Sequence, residues 1–221
     1  KGLQLSFIPE VVYQENSKVG VVEASEDILS NSLKKLGVSF DRLDQKSNLG
    51  NYKVILLGAG VYSRKGYEWI RNEKLLTFVK KGGRMIVFDQ FGPGKLSFHF
   101  APFALKAEFL PIEGRESVTI KQRGGAILNY PNFINAADFM REKGELGMFF
   151  AKEYSAKYQE LLQVKSNQEL VRSGILYLPL DKGEYVYTSF NWSKRLKEED
   201  LVAFKILANF ISVPENFDIQ P

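Results

Sequence analysis

Over residues 17–91, short runs of consecutive apolar, β-branched residues alternate with stretches in which apolar residues recur every three or four positions. That alternation predicts parallel βαβ units. Lys18 to Val22 reads as a buried strand. A helix follows, with Ser25 as its N-cap, Ile28, Leu29, Leu33 and Leu36 on its inner face, and Gly37 as its terminator. Val38 to Leu43 is the second predicted strand and Tyr52 to Gly58 the third, fully apolar one. Asn72 is placed to start the next helix, with Leu75, Leu76 and Val79 facing inward, and Gly82-Gly83 stops it before a fourth strand from Arg84 to Phe88. Four strands with two intervening helices predict a doubly wound, mainly parallel sheet.

The pattern changes after about residue 95. Shorter alternating segments at 105–110 and 117–121, broken by the turn-rich Asn129-Tyr130-Pro131-Asn132, predict a β-rich insertion at about 95–170. Residues 174–180 and 185–190, separated by Asp181-Lys182-Gly183-Glu184, read as a hairpin with positive φ at the glycine. The alternation of Tyr185 and Tyr187 with Val186 and Thr188 suggests a strand near a sheet edge. Leu201 to Ile211 predicts a terminal amphipathic helix that closes over the sheet. Residues 1–17 form an N-terminal extension, and 18–221 one α/β domain.

Composition narrows the chemistry. The 221 residues are 44% hydrophobic and 13% aromatic, enough to bury a core without crosslinks. No cysteine is present, which removes disulfides, thiolate metal sites and cysteine nucleophiles. The single histidine, His99, leaves no imidazole set for zinc or for a catalytic triad, and its setting between Phe98 and Phe100 suggests packing within the insertion. No cofactor and no metal are expected. Thirty basic residues against 26 acidic ones are scattered rather than clustered, so a nucleic-acid partner is not expected. No stretch reaches the roughly 20 apolar residues of a membrane span.

In open parallel sheets, ligands gather where the strands end at their carboxyl side. Three loops qualify here: 23–25, 58–64 and 89–94. Glu23 and Asp89 are predicted to lie within reach of each other across neighbouring strand ends. They either approach as an acid/base pair, which would displace their pKa values, or cap the elements that follow them. Tyr62, Arg64, Gln90, Asn191 and Trp192 offer aromatic, guanidinium and amide contacts to a polar ring or an anion, and each has an alternative as a packing or surface residue. The glycines at 58 and 60 lack the spacing of a phosphate-binding fingerprint. Asn129, Asn132 and Asp138 have the spacing of a turn that caps a short helix.

Two long segments carry a resemblance: Tyr52 through Arg64, reading YKVILLGAGVYSR, and Asn72 through Val87, reading NEKLLTFVKKGGRMIV. Asn129-Tyr130-Pro131-Asn132-Phe133-Ile134-Asn135-Ala136-Ala137-Asp138-Phe139 and Gly183-Glu184-Tyr185-Val186-Tyr187-Thr188 extend it. Together they resemble the class I glutamine amidotransferase-like, flavodoxin-like domain at the C-terminal end of long bacterial PIG-L (LmbE-like) deacetylase proteins. The resemblance spans roughly residues 18–213. It implies a non-catalytic accessory domain that binds a glycan, or assembles with a deacetylase-type catalytic domain in the same parent chain or with another copy of itself. It also implies periplasmic or extracellular placement. Asp89-Gln90-Phe91 stands where an amidotransferase carries its Gly-x-Cys-x-Gly elbow, so glutaminase chemistry has no nucleophile. The alternative is a carboxylate-based hydrolase or lyase acting on a sugar-like substrate at the strand-end cleft.

Overall fold

In the computed structural model, residues 3–5, 7–15, 17–24, 27–71, 73–90, 96–97, 101–109, 117–122, 126–140, 149–165 and 170–214 are described. Ser25, Asn72, Phe91 through Gly94 and His99, singled out above, lie outside them. The N-terminal residues form a two-stranded antiparallel ribbon of β1 (Leu3–Leu5) and β2 (Val12–Gln14). β3 (Val19–Val22), α1 (Ile28–Leu36), β4 (Phe40–Arg42), β5 (Val54–Leu57), α2 (Glu73–Lys80) and β6 (Arg84–Val87) follow. The middle of the chain supplies β7 (Leu96–Ser97), β8 (Leu105–Phe109), β9 (Ser117–Ile120), β10 (Phe149–Tyr154) and β11 (Gln159–Lys165). β12 (Val171–Leu180), β13 (Gly183–Thr188), α3 (Trp192–Lys197) and α4 (Leu201–Ile211) complete it.

The expectation of a doubly wound, mainly parallel flavodoxin-like sheet is overturned. One 11-stranded mixed sheet runs β4-β3-β5-β6-β13-β12-β10-β8-β7, with β11 and β9 branching from β12. Parallel pairing is confined to β4, β3, β5, β6 and β13. Every pairing beyond β13 is antiparallel. The physical reason lies in the connections. Among the described residues only α1 and α2 are crossover helices of the kind a parallel neighbour requires, and from residue 105 onward the alternating segments pair with one another antiparallel.

β13 also corrects a detail. It sits between β6 and β12 in the sheet interior, with all six residues buried, rather than near an edge. In the preceding turn the positive φ belongs to Asp181 (53°). Gly183 is there for space: a Cβ on it would lie 2.0 Å from the Val79 carbonyl oxygen. At the end of α1, Gly37 does adopt the left-handed conformation (φ 78°), which lets Val38 N–H reach the Leu33 carbonyl at 2.9 Å.

Because the parallel strands are apolar at consecutive positions, they are buried on both faces and need cover on both. Leu29, Leu33 and Leu36 of α1 join Phe204, Leu207, Phe210 and Ile211 of α4 against one face. Leu75, Phe78 and Val79 of α2 cover the other, with Tyr62, Tyr185 and Tyr187. Each such large apolar side chain contributes about 1.5–3 kcal/mol by leaving water.

Two polar assemblies fix the layers. Arg84, 1% exposed, pairs through Nε with Glu184 at 2.5 Å, and its Nη1 donates to the carbonyls of Asn209, Phe210 and Ser212 at the end of α4. Tyr177 donates its hydroxyl to the same Glu184 at 2.7 Å. The second assembly joins β2, the 126–132 turn and α4. Asn132 Oδ1 accepts from Val12 N–H at 3.0 Å while its Nδ2 donates to the Val12 carbonyl at 2.7 Å. Asn209 Oδ1 accepts from both the backbone and the side-chain amide of Asn132, each at 2.9 Å, and its Nδ2 donates to the carbonyls of Ile127 and Asn132.

Candidate functional site

At the carboxyl ends of β3, β5 and β6 stand residues 23–24, 58–71 and 88–90. Glu23 leaves β3 half-buried and turns back on α1. Its Oε1 accepts from Leu29 N–H at 2.5 Å, and its Oε2 accepts from Ser30 N–H at 3.2 Å and Ser30 Oγ at 2.7 Å. The residue at the usual cap position, Asp27, is left-handed (φ 51°), makes no side-chain cap and pairs with Arg42 at 2.7 Å instead. Glu23 therefore satisfies the otherwise orphaned first-turn amides of α1, where a negative charge also complements the helix dipole.

Gln90 is fully buried and ties two loops together. Its Oε1 accepts from Tyr62 N–H at 3.1 Å, and its Nε2 donates to the carbonyls of Gly58 (3.0 Å) and Phe88 (2.6 Å). Gly60 N–H adds a 3.0 Å bond to the Asp89 carbonyl. The Tyr62 side chain lies in the core beneath this junction, its hydroxyl pushed well above the usual phenol range by burial, and its carbonyl accepts from Arg71. Arg64 lies exposed on the outer turn.

Asp89 differs from these. It is 5% exposed, and its Oδ1 has no hydrogen-bond partner among the described residues. Burial pushes its carboxyl up to about 7, opposed only by a hydrogen bond from its own backbone. Glu23 makes no contribution to that shift, so the two carboxylates do not act as an electrostatic pair. Tyr187 lies close enough that burial first and the Asp89 charge second raise its hydroxyl far above the ordinary value. Beside it, the Tyr185 hydroxyl is buried without a partner among the described residues, and burial together with Tyr62, Tyr158 and Tyr187 disfavours its ionisation. Burial pushes Tyr158 up to about 12; its hydroxyl donates to the Phe103 carbonyl at 3.1 Å. Asp89 thus keeps its proton to near neutrality, and the Tyr187 phenol close to it keeps its proton throughout. Both are neutral hydrogen-bonding groups below about pH 7.

The remaining sequence candidates lie elsewhere. Asn191 N-caps α3, accepting from Lys194 N–H at 3.2 Å. Trp192 is 2% exposed, donates from Nε1 to Thr188 Oγ1 at 2.6 Å and packs against Phe190 and Phe210. Asn129 is exposed in its turn, Asn132 is the buried hub described above, and Asp138 Oδ2 accepts from Asn135 N–H at 2.8 Å at the start of a short helical turn, Ala136–Met140. The tyrosines at 185 and 187 were missed as site residues, although their spacing of two on one strand puts both on one sheet face. Among the described residues no group of three or more His, Cys, Asp or Glu side chains is placed to hold a metal. No helix among them is long and apolar enough to cross a membrane.

No protein-family model and no curated protein matches the chain. Solved structures do. A β-galactosidase from Rahnella sp. R3 aligns with 92% of this chain at 13% identity and a TM-score of 0.54, and an α-L-fucosidase isoenzyme 2 from Paenibacillus thiaminolyticus with 89% at 15% and 0.54. This chain spans 33% and 32% of those proteins. A protein of Thermoplasma acidophilum named for GMP synthase aligns over 88% of this chain and 92% of its own, at 12% identity and a TM-score of 0.54. At these identities the likeness establishes a shared fold and nothing of the activity.

Proposed function

We propose that this chain recognises a neutral, sugar-like ligand at the carboxyl ends of its parallel strands, with Asp89 at the centre of the site. The observation that carries the reading is the buried Asp89 carboxyl, unpaired through Oδ1 among the described residues and raised to about 7. A group in that state is costly to the fold unless something uses it. Protonated, it donates one hydrogen bond and accepts others, and with the Tyr187 phenol close by it matches hydroxyl groups better than it matches an anion or a cation. The ligand class is supported by the likeness to proteins named as β-galactosidases, an α-L-fucosidase and an exo-β-1,4-mannosidase, of which this chain spans about a third.

A second reading, hydrolysis of a sugar-like substrate, draws on the same pKa, since a carboxyl near 7 suits a general acid. Glycoside hydrolysis commonly sets two carboxyl groups about the scissile bond. Glu23, the other acid at these strand ends, is engaged with α1, and that favours binding over hydrolysis. The test is calorimetric titration of wild type and Asp89→Asn with galactose, fucose, mannose and their β-linked disaccharides, alongside hydrolysis assays on the nitrophenyl glycosides. Saturable binding that weakens at least tenfold in Asp89→Asn supports the site. Release of nitrophenol that is lost in Asp89→Asn supports the hydrolytic reading. Absence of both sinks the proposal.

A further inference from the structure

The opposite end of the parallel strands carries a groove that shares no residue with the Asp89 region. Between α2 and the turn at residues 47–52 lies an open groove of about 610 Å³, beside the residues that lead into β5 and β6. Its floor is aromatic, from Phe78 and the half-buried Tyr52. Its rim bears three lysines, Lys53, Lys74 and Lys81, against a single acid, Glu73. Lys53 is held in place: its Nζ donates to the Gly82 carbonyl at 2.7 Å, which leaves two of its three N–H groups for another acceptor. The floor is equally constrained, since a Cβ on Gly83 would lie 2.2 Å from the Phe78 ring. Glycine there is what lets the Phe78 ring approach the backbone so closely.

We propose that this groove docks an extended acidic peptide segment of a partner chain. From Glu73 to Lys81 the exposed face of α2 runs about 12 Å, the span of roughly four extended residues. Cations at both ends and along one side, with an aromatic floor between, complement a strand that alternates carboxylates with apolar side chains. A compact anion would reach the lysines and leave the floor uncovered.

The test is fluorescence anisotropy of the whole chain with a fluorescein-labelled octapeptide of alternating Glu and Phe. Saturable binding is expected that falls as salt is raised, is absent for the Gln/Phe counterpart, and weakens at least about fivefold in Lys74→Gln/Lys81→Gln. Thr77→Trp, which obstructs the groove from the exposed face of α2 without touching charge, should abolish it, with unchanged circular dichroism as the folding control. Equal binding of the Gln/Phe peptide, an unchanged Kd in both variants, or complete displacement by millimolar inorganic phosphate would overturn the proposal, the last in favour of a small-anion site. A failure of sugar binding at Asp89 leaves all these outcomes where they are.

Discussion

The two ends of β6 hold two buried ionisable groups in contrasting states. At the amino end, Arg84 has a carboxylate at 2.5 Å and three helix-end carbonyls around it. Just past the carboxyl end, Asp89 is buried to a similar degree with one oxygen unpaired among the described residues. A buried charge that is paired and hydrogen-bonded holds its neighbours in one geometry, whereas a buried acid with no cation beside it lowers its cost by keeping its proton. The first locks α4 to the sheet; the second leaves a protonated carboxyl at the strand ends. The largest effect expected from this contrast is at Arg84. Arg84→Ala leaves Glu184 buried without its cation and should cost about 3–5 kcal/mol in urea unfolding. A loss below about 1 kcal/mol would mean that the pair does not hold α4.

At Asp89 the contrast predicts a pH dependence of opposite character. The folded state keeps the proton to about pH 7, against an ordinary value of 3.8. Between those limits the folded state binds more protons than the unfolded chain, so stability falls as pH rises. The contribution is complete below about pH 4, is lost through pH 7, and amounts to something on the order of 4 kcal/mol. Asp89→Asn should flatten the profile between about pH 4 and 8 and be the more stable protein at the upper end. A wild-type midpoint indifferent to pH over that range would show that Asp89 ionises without cost, removing the contrast and the basis for the sugar site.

A third, smaller effect separates a neutral hydrogen-bonded network from a paired charge. Asn132→Ala leaves Val12 N–H, its carbonyl and Asn209 short of partners, and should cost about 2 kcal/mol, within the usual range for orphaned buried groups. If Asn132→Asp proved as stable as wild type, the two-way pairing with Val12 would be refuted, because a carboxylate cannot donate to the Val12 carbonyl.

What could be read from the sequence follows the range of the interactions concerned. α4 is predicted at its observed bounds, and β3, β5 and β6 within a residue or two, because apolar runs and helical spacing are local signals. The direction of the sheet beyond β6 is not legible there. Whether Tyr185 and Tyr187 sit at an edge or between β6 and β12 depends on which strand arrives next to them, and no neighbouring residue states it. At the site, the sequence points to Glu23 and Asp89 through their strand-end positions. It leaves open that one caps α1 and the other keeps one oxygen without a partner among the described residues. That difference turns on Asp27 adopting a left-handed conformation and leaving the cap to a residue earlier in the chain.

The smallest effect bears on Asp138. Its carboxylate reaches back to Asn135 N–H, the N3 half of a capping box, while its own N–H bonds the Asn135 backbone carbonyl at 3.1 Å as in any tight helical turn. The side chain is half-exposed, so water can replace the lost bond. Asp138→Ala should therefore cost about 0.5–1 kcal/mol and leave ligand titrations unchanged, and Asp138→Glu should recover part of the loss. An unaltered melting midpoint together with a lost sugar response would reverse the assignment and move the recognition site from the strand ends to the Asn132–Asp138 turn.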